Sequence, residues 1–229
     1  MTHIMLDLEM NMCKKKTNGK NHSLSHELIE IGAVKMDDKF EIIDKFQTYV
    51  NPDLGPMDKR IIKITHITDD MLVGAPKYDE AMEMFVEWIG EGDITYYSWS
   101  LSDLRQLQAE SSFKSSHEGD VKRMSENWID FQKEFGDLLK ISKRIRLKDA
   151  VGSANYTFQG AQHTALADAV NTAEILILSK DKKKFDEVMK PVIDLFAPYN
   201  SGSSLGAMCA DFFNSFSEES EDSENSEDK

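Results

Sequence analysis

The stretch Ile4-Met5-Leu6-Asp7-Leu8-Glu9-Met10 constrains the fold of this chain more than any other. It is apolar apart from two carboxylates, which is typical of a strand. Successive side chains of a strand point to opposite faces, so Asp7 and Glu9 share one face and the leucines beside them share the other. Two like charges side by side in an apolar strand are unfavourable unless a cation lies between them. The stretch therefore predicts either a cation site or an exposed edge strand with solvated acids.

A third carboxylate, Asp103, follows a predicted strand at 94–98 and opens a predicted helix that runs to Glu110. The spacing Ser100-x-x-Asp103 also matches a capping box, in which the acid serves the start of the helix. The local sequence therefore favours capping and catalysis equally for Asp103.

Asp168 lies in a predicted helix, 165–180, that is apolar on most sides. A helix of this kind is buried, and a carboxylate inside it needs a partner, which a metal ion can supply. His163 precedes the helix in a turn that contains Gly160 and Gln162. A lone histidine is more often structural, but the acid nearby and the Asp-x-Glu strand favour a chemical role.

Four carboxylates and one histidine suit two hard cations with oxygen ligands. Mg²⁺ or Mn²⁺ is the predicted cofactor, because the sequence offers no set of soft sulfur ligands. Two such ions roughly 3.5–4 Å apart stabilise the attacking and leaving oxygens of an in-line phosphoryl displacement. A neutral imidazole nearby can take a proton from the attacking water. In chain order the five residues are Asp7, Glu9, Asp103, His163 and Asp168.

Three motifs resemble those of the DEDDh 3′–5′ exonucleases, the superfamily of RNase T, oligoribonuclease and the proofreading subunits of DNA polymerases. The second strand of that family and its TxIT turn resemble Ile29-Glu-Ile-Gly-Ala-Val34 and Ile64-Thr-His-Ile-Thr68. The Trp-x-x-x-Asp form of the middle motif is most similar to the branch of KapD-like proteins and histone-mRNA exonucleases. The resemblance covers residues 1 to about 180. The three motifs are Asp7-Leu-Glu9, Trp99-Ser-Leu-Ser-Asp103 and His163-Thr-Ala-Leu-Ala-Asp168.

The resemblance implies an α/β, ribonuclease H-like fold: a mixed five-stranded sheet, three strands antiparallel and two parallel, flanked by helices. It implies that His163 is the general base and that the backbone near Met10 grips the terminal nucleotide. The implied activity is metal-dependent release of nucleoside 5′-monophosphates from the 3′ end of RNA or single-stranded DNA. The alternative is a catalytically silent nucleic-acid-binding or scaffolding module of the same fold. The implied ligands of two Mg²⁺ or Mn²⁺ ions are Asp7, Glu9, Asp103 and Asp168.

The hydrophobic pattern predicts strands first and then helices with further strands between them, which fits a mixed sheet flanked by helices. Thr68 is the predicted N-cap of a short helical turn. The predicted exonuclease domain is 1–198. Its predicted strands are 4–10, 27–34, 40–50 and 94–98, and its predicted longer helices are 78–89, 103–110, 128–139, 142–151, 165–180 and 182–196.

The segment 11–25 between the first two predicted strands is polar and is predicted to be a loop. It leaves the strand that carries two of the acids, so its lysines are candidates for contacts with substrate phosphates. A solvated surface loop is an equally weighted alternative. The candidate substrate-binding residues are Met10, Lys14, Lys15 and Lys16.

The net charge of −14 disfavours a nucleic-acid partner at first sight, but the charge is unevenly placed. Seven acids and one lysine at 217–229 account for six of the fourteen net negative charges, and this tail is predicted to be disordered. Before it come a predicted linker, 199–204, and a predicted amphipathic helix, Leu205 to Phe216, with three phenylalanines. That helix either docks on a protein partner or a sister subunit, or folds back on its own domain.

The sequence also contains signals that bear on the cellular location of the protein. No apolar run is long enough to span a membrane, and the N-terminus does not resemble a secretory signal. Two cysteines, Cys13 and Cys209, cannot form a disulfide framework. We therefore expect a cytoplasmic protein. The resemblance implies that its partner is a nucleic acid with a free 3′ end.

Overall fold

The computed structural model describes residues 1–17, 23–141 and 144–196. The predicted linker, amphipathic helix and acidic tail, 199–229, lie outside the described residues. So do the side chains of Lys14, Lys15 and Lys16. Among the helices that the structure describes, none combines the length and the apolar character needed to cross a membrane.

Five strands form one sheet in the order β3-β2-β1-β4-β5. The first three strands pair antiparallel, and β4 and β5 are added in parallel on the other side of β1. The predicted mixed sheet is therefore confirmed. The strands are β1 (Thr2–Thr17), β2 (Ser23–Met36), β3 (Ile42–Tyr49), β4 (Ile94–Ser98) and β5 (Trp128–Asp130).

Helices cover both faces of the sheet. The helices from Tyr78 to Ser125 pack on the face of β1 that carries Ile4, Leu6 and Leu8. The helices from Phe131 to Phe196 pack on the opposite face, which carries Met5. The helices are α1 (Lys59–Thr65), α2 (Asp69–Leu72), α3 (Tyr78–Ile89), α4 (Ser102–Lys114), α5 (Glu118–Ser125), α6 (Phe131–Leu139), α7 (Leu147–Ser153), α8 (Ala165–Lys180) and α9 (Lys182–Phe196).

The prediction of a loop at 11–25 is wrong for most of that segment. β1 continues to Thr17, which pairs with Ser23 at the start of β2, so the two strands form a long hairpin arm. Such an arm needs no apolar sequence, because the hydrogen bonds between paired strands join backbone groups and an antiparallel pair of strands can face water.

Two predicted helices begin later than expected. Residues 128–130 form the short edge strand β5 beside β4, and Asp130 then caps α6 by accepting a hydrogen bond from the backbone N–H of Lys133. The helix predicted at 142–151 begins at Leu147. Residues 128–130 form a strand because they pair with β4. Three residues are too few for the hydrophobic pattern to distinguish a strand from a helix. Thr68 does occupy the N-cap position of α2, although its side chain makes no capping hydrogen bond.

Gly32 brings β2 unusually close to the start of α8. A Cβ atom built at this position would lie 2.1 Å from the carbonyl carbon of Ala165 and 2.1 Å from the nitrogen of Leu166. Both atoms belong to the backbone, so they cannot move aside as a flexible side chain can. Any side chain at position 32 would therefore push α8 away from the sheet.

We expect Gly32→Ala to lower the free energy of unfolding by about 1–3 kcal/mol, the usual cost of overpacking a core. Gly119→Ala in α5 is the matched control, because a Cβ atom there meets nothing within 4 Å. The control should be neutral or slightly stabilising, since alanine favours a helix over glycine. Urea unfolding of both variants measures the difference, and equal midpoints would contradict the close approach of α8.

Candidate active site

The two acids of β1 face α8, as the strand alternation predicts. Asp7 and Glu9 are at positions i+2 and i+4 from Met5, which packs against α8 and the helices around it. Leu6 and Leu8 belong to the core on the other face. A break in the β1–β2 register follows Glu9, because Ile29 is an extra residue of β2 between the partners of Glu9 and Met10.

Asp103 joins this group from the start of α4. β4 pairs with β1 only as far as Met5, which lies opposite Tyr97. Further along β1, the backbone N–H of Leu8 donates to Oδ1 of Asp103 at 3.1 Å. Asp103 as a residue is 4% exposed, and its carboxylate accepts the hydrogen bond that a pairing strand would otherwise accept beside β1. The N-cap of α4 is Leu101, one residue after Ser100, so the capping-box alternative for Asp103 does not match the observed start of the helix.

Asp168 lies in the first turn of α8 and has one unpaired oxygen. Its Oδ2 accepts a hydrogen bond from the backbone N–H of His163 at 3.3 Å. Its Oδ1 is buried and has no hydrogen-bond partner among the residues that the structure describes. A buried carboxylate oxygen without a partner is costly, and a cation would satisfy it.

His163 lies over the acids in a strained turn. Its φ is 63°, in the left-handed region that residues other than glycine seldom adopt. One ring nitrogen of His163 and one carboxylate oxygen each from Glu9 and Asp168 lie within 4.8 Å of one another. The imidazole is therefore close enough either to bind a cation or to act on a water molecule next to one.

The electrostatics of the site are those of crowded, desolvated acids. Burial raises the pKa of Glu9 to about 8, with help from the charges of Asp168, Glu30 and Asp103. Burial raises the pKa of Asp7 well above its usual range, and the neighbouring carboxylates raise it further. Burial also raises the pKa values of Asp103 and Asp168. Folding thus places several carboxyl groups where they repel one another unless a cation is bound.

The donor set fits a divalent cation. All four acids offer hard oxygen ligands, and the unpaired Oδ1 of Asp168 is a vacant acceptor within the group. Oxygen ligands suit Mg²⁺ and Mn²⁺ better than soft metals.

The pKa of His163 is lowered by partial burial of its ring and by the nearby charges of His66 and Lys148. The residue as a whole is exposed, and a lowered pKa favours the neutral imidazole, which can accept a proton. Beside it opens a cavity of about 490 Å³, which Trp99, Lys148 and Phe158 also line.

The remaining candidates, those for substrate binding, all lie in β1 beyond Glu9. Met10 follows the register break and packs, partly buried, against the core that carries Leu8. The backbone of Lys14, Lys15 and Lys16 lies in the hairpin arm.

Sequence reasoning missed Glu30. It lies in β2 directly opposite Glu9, is fully buried, and accepts a hydrogen bond from the first residue of α8. The signal was present in the sequence, because Glu30 is the one charged residue in the apolar run Ile29–Val34. An acid in such a run needs partners.

Comparison with known families decides the class of the protein. The RNase_T family model, described as Exonuclease, matches residues 4–176. The chain belongs to this exonuclease family. The matched region includes all five residues of the candidate site.

Individual relatives agree with this membership. A DNA polymerase III PolC-type from Staphylococcus haemolyticus is 40% identical over 90 residues, which is 39% of this chain and 6% of that protein. The nuclease domain of 3′hExo, a DEDDh family member, bound to rAMP, has a TM-score of 0.66 and 21% identity over 79% of this chain and 92% of that chain. E. coli Exonuclease I in complex with a dA16 oligonucleotide has a TM-score of 0.61 and 14% identity over 81% of this chain and 42% of that chain. The two solved structures show the shared fold.

Proposed function

We propose that this chain is a metal-dependent 3′–5′ exonuclease that releases nucleoside 5′-monophosphates from the 3′ end of RNA or single-stranded DNA. The observation that carries the proposal is the meeting of acids from β1, α4 and α8 beside an exposed histidine. Family membership supports it, and so do the fold neighbours, since one binds rAMP and another a dA16 oligonucleotide.

The roles of the side chains follow from their chemistry. Two divalent cations held in the site, Mg²⁺ or Mn²⁺, would stabilise the negative charge of an in-line displacement at phosphorus. His163 takes a proton from the attacking water. The water oxygen bonds to phosphorus as the bond from phosphorus to the 3′-oxygen of the preceding nucleotide breaks. The phosphate stays on the released nucleotide, and the 3′-oxygen takes a proton from the solvent to become a new 3′-hydroxyl. The acids that hold the cations are Asp7, Glu9, Asp103 and Asp168.

The test compares single-stranded RNA, single-stranded DNA and duplexes with recessed 3′ ends, each with a 5′ label and a free 3′-hydroxyl. We expect a ladder that shortens from the 3′ end, release of mononucleotides, and complete loss of both in EDTA. Binding without any release would favour the silent module. Internal cuts, or release that survives EDTA, would contradict the proposal.

The lysines of the hairpin arm are proposed to hold the substrate backbone. At about 3.3 Å per residue, the first of them, Lys14, lies at most roughly 17 Å beyond Glu9 along the strand, because the register breaks again between Met12 and Lys16. A contact at that distance reaches nucleotides upstream of the terminal one. The grip on the terminal nucleotide is assigned to the backbone near Met10, where the register breaks.

Changing Lys14, Lys15 and Lys16 together to alanine should raise the apparent KM and flatten its dependence on salt. Each phosphate contact with a single strand contributes roughly 0.7 to the slope of log affinity against log salt, so the slope should fall by about 2. The control changes Lys182, Lys183 and Lys184, which are exposed and follow the far end of α8. If both triple variants keep the wild-type slope, the arm lysines are solvated and do not bind substrate.

We also expect a cytoplasmic protein. The segment Leu205 to Phe216 either docks on a protein partner or a sister subunit, or folds back on its own domain.

A further inference from the structure

We propose that Glu30 is a positioning residue that fixes the start of α8, and with it Asp168, against the acids of β1. The inference rests on the proposed function, because it names a residue that shapes the same site. Glu30 is outside the set of proposed metal ligands, and its carboxylate acts through the helix.

The hydrogen bonds of Glu30 point to this role. Its Oε2 accepts from the backbone N–H of Ala165 at 3.0 Å, and its Oε1 accepts from Nε2 of Gln47 at 2.6 Å. The first N–H groups of a helix have no partner within the helix. Thr164 occupies the N-cap position of α8 but makes no side-chain capping bond. Glu30, which lies on β2, therefore caps α8 from outside the helix, and its negative charge lies at the positive end of the helix.

The register of the sheet links this cap to the catalytic acids. Glu30 pairs with Glu9, and Gly32 pairs with Asp7, so the two positions of β2 lie beside the two acids of β1. At Gly32 the absence of a side chain lets the backbone of Ala165 and Leu166 rest on the strand. Contact at Gly32 fixes the distance of α8 from the sheet, and the bond to Glu30 fixes where its first turn lies along the strand.

Asp168 is three residues beyond Ala165, so its carboxylate moves with the first turn of the helix. A shift of about 1 Å in a catalytic group can cost about 100-fold in rate. Both oxygens of Glu30 already accept hydrogen bonds, which favours a role in holding the helix over direct binding of a cation.

The experiment uses Glu30→Ala, Glu30→Gln and a matched control, Glu27→Ala, in the full chain. Glu27 lies on the same strand, is equally buried, and accepts hydrogen bonds from the backbone N–H groups of Asp53 and Leu54. Amide hydrogen exchange at Ala165 is measured in the metal-free protein. The affinity for Mn²⁺ is measured by calorimetry at a temperature where circular dichroism shows every variant to be folded.

We expect Glu30→Ala to lose protection at Ala165 and to bind Mn²⁺ about 10–100-fold more weakly, the usual effect of removing a residue that orients a metal ligand. Glu30→Gln should recover most of the protection at Ala165 and most of the Mn²⁺ affinity. An amide oxygen still accepts a hydrogen bond from Ala165, and the amide of Gln47 can turn to complement the new amide. Glu27→Ala should change both by less than about twofold, since its partners lie away from α8.

Two results would overturn the positioning role. One is equal behaviour of Glu30→Ala and Glu27→Ala in both measurements. The other is a Glu30→Gln variant that keeps protection at Ala165 but binds Mn²⁺ as poorly as Glu30→Ala, which would mean that the charge acts directly. If the wild type neither binds Mn²⁺ nor releases nucleotides, the proposed function fails, and exchange at Ala165 still decides whether Glu30 holds the helix.

Discussion

Replacing Asp7 with asparagine should abolish nucleotide release and raise the melting temperature of the metal-free protein at neutral pH. Loss of a ligand removes several kcal/mol of charge stabilisation from the reaction, which corresponds to a fall in rate of roughly 10³-fold or more. The fold should persist, because asparagine keeps the shape of the side chain and removes a charge that Asp103, Asp168 and Glu9 repel.

The sign of the pH dependence follows from the raised pKa of Asp7. A carboxyl group whose pKa is higher in the folded state stabilises the fold below its unfolded pKa, about 3.9, and loses that contribution as the pH rises through the folded pKa. The gain from Asp7→Asn should therefore appear at pH 7–8 and vanish below about pH 4.

Thermal unfolding with and without Mn²⁺ measures both effects. The wild type should melt at a higher temperature with Mn²⁺, and Asp7→Asn should respond much less. Asp38→Asn is the control, because that acid is exposed in the turn between β2 and β3. Near-wild-type turnover in Asp7→Asn, together with an unchanged melting curve, would refute the assignment of Asp7.

Replacing His163 with alanine should lower kcat by roughly 10²–10⁴, the usual contribution of a positioned acid–base group. Metal and substrate binding should be retained, because the four carboxylates supply the ligands. A rise in pH should restore part of the rate, since hydroxide needs no base. His117→Ala in the region of α5 is the control, because His117 pairs with Asp120 outside the site and should leave kcat unchanged.

The geometry at His163 makes calorimetry of this variant decisive. A ring nitrogen lies within 4.8 Å of oxygens of Glu9 and Asp168, a distance that also suits a shared cation. Mn²⁺ affinity that stays within about twofold while kcat falls supports the general base. If the affinity collapses together with kcat, His163 is a ligand and its assignment as the base is wrong.

Much of the site could be predicted because its signals are local. An Asp-x-Glu pair in an apolar strand fixes the face of both acids, and an acid in an apolar helix needs a partner. Four elements have the predicted bounds: α3, β4, α8 and α9. In each of them the hydrophobic pattern of the sequence starts and stops at clear positions.

The features that sequence reasoning missed depend on contacts distant in the chain. β5 is a strand because it pairs with β4, and the hairpin arm is held by backbone ladders that leave little trace in the side chains. The partner of Glu30 is 135 residues away, so no local pattern indicates that this acid caps α8.

The proposed function requires that the acids of β1, α4 and α8 form one site for two cations. Calorimetric titration of Mn²⁺ in the presence of a nucleoside 5′-monophosphate, the proposed product, tests this most directly. We expect two Mn²⁺ ions per chain for the wild type, and for Asp7→Asn the loss of at least one of them. Equal stoichiometry and affinity in the two proteins would contradict it.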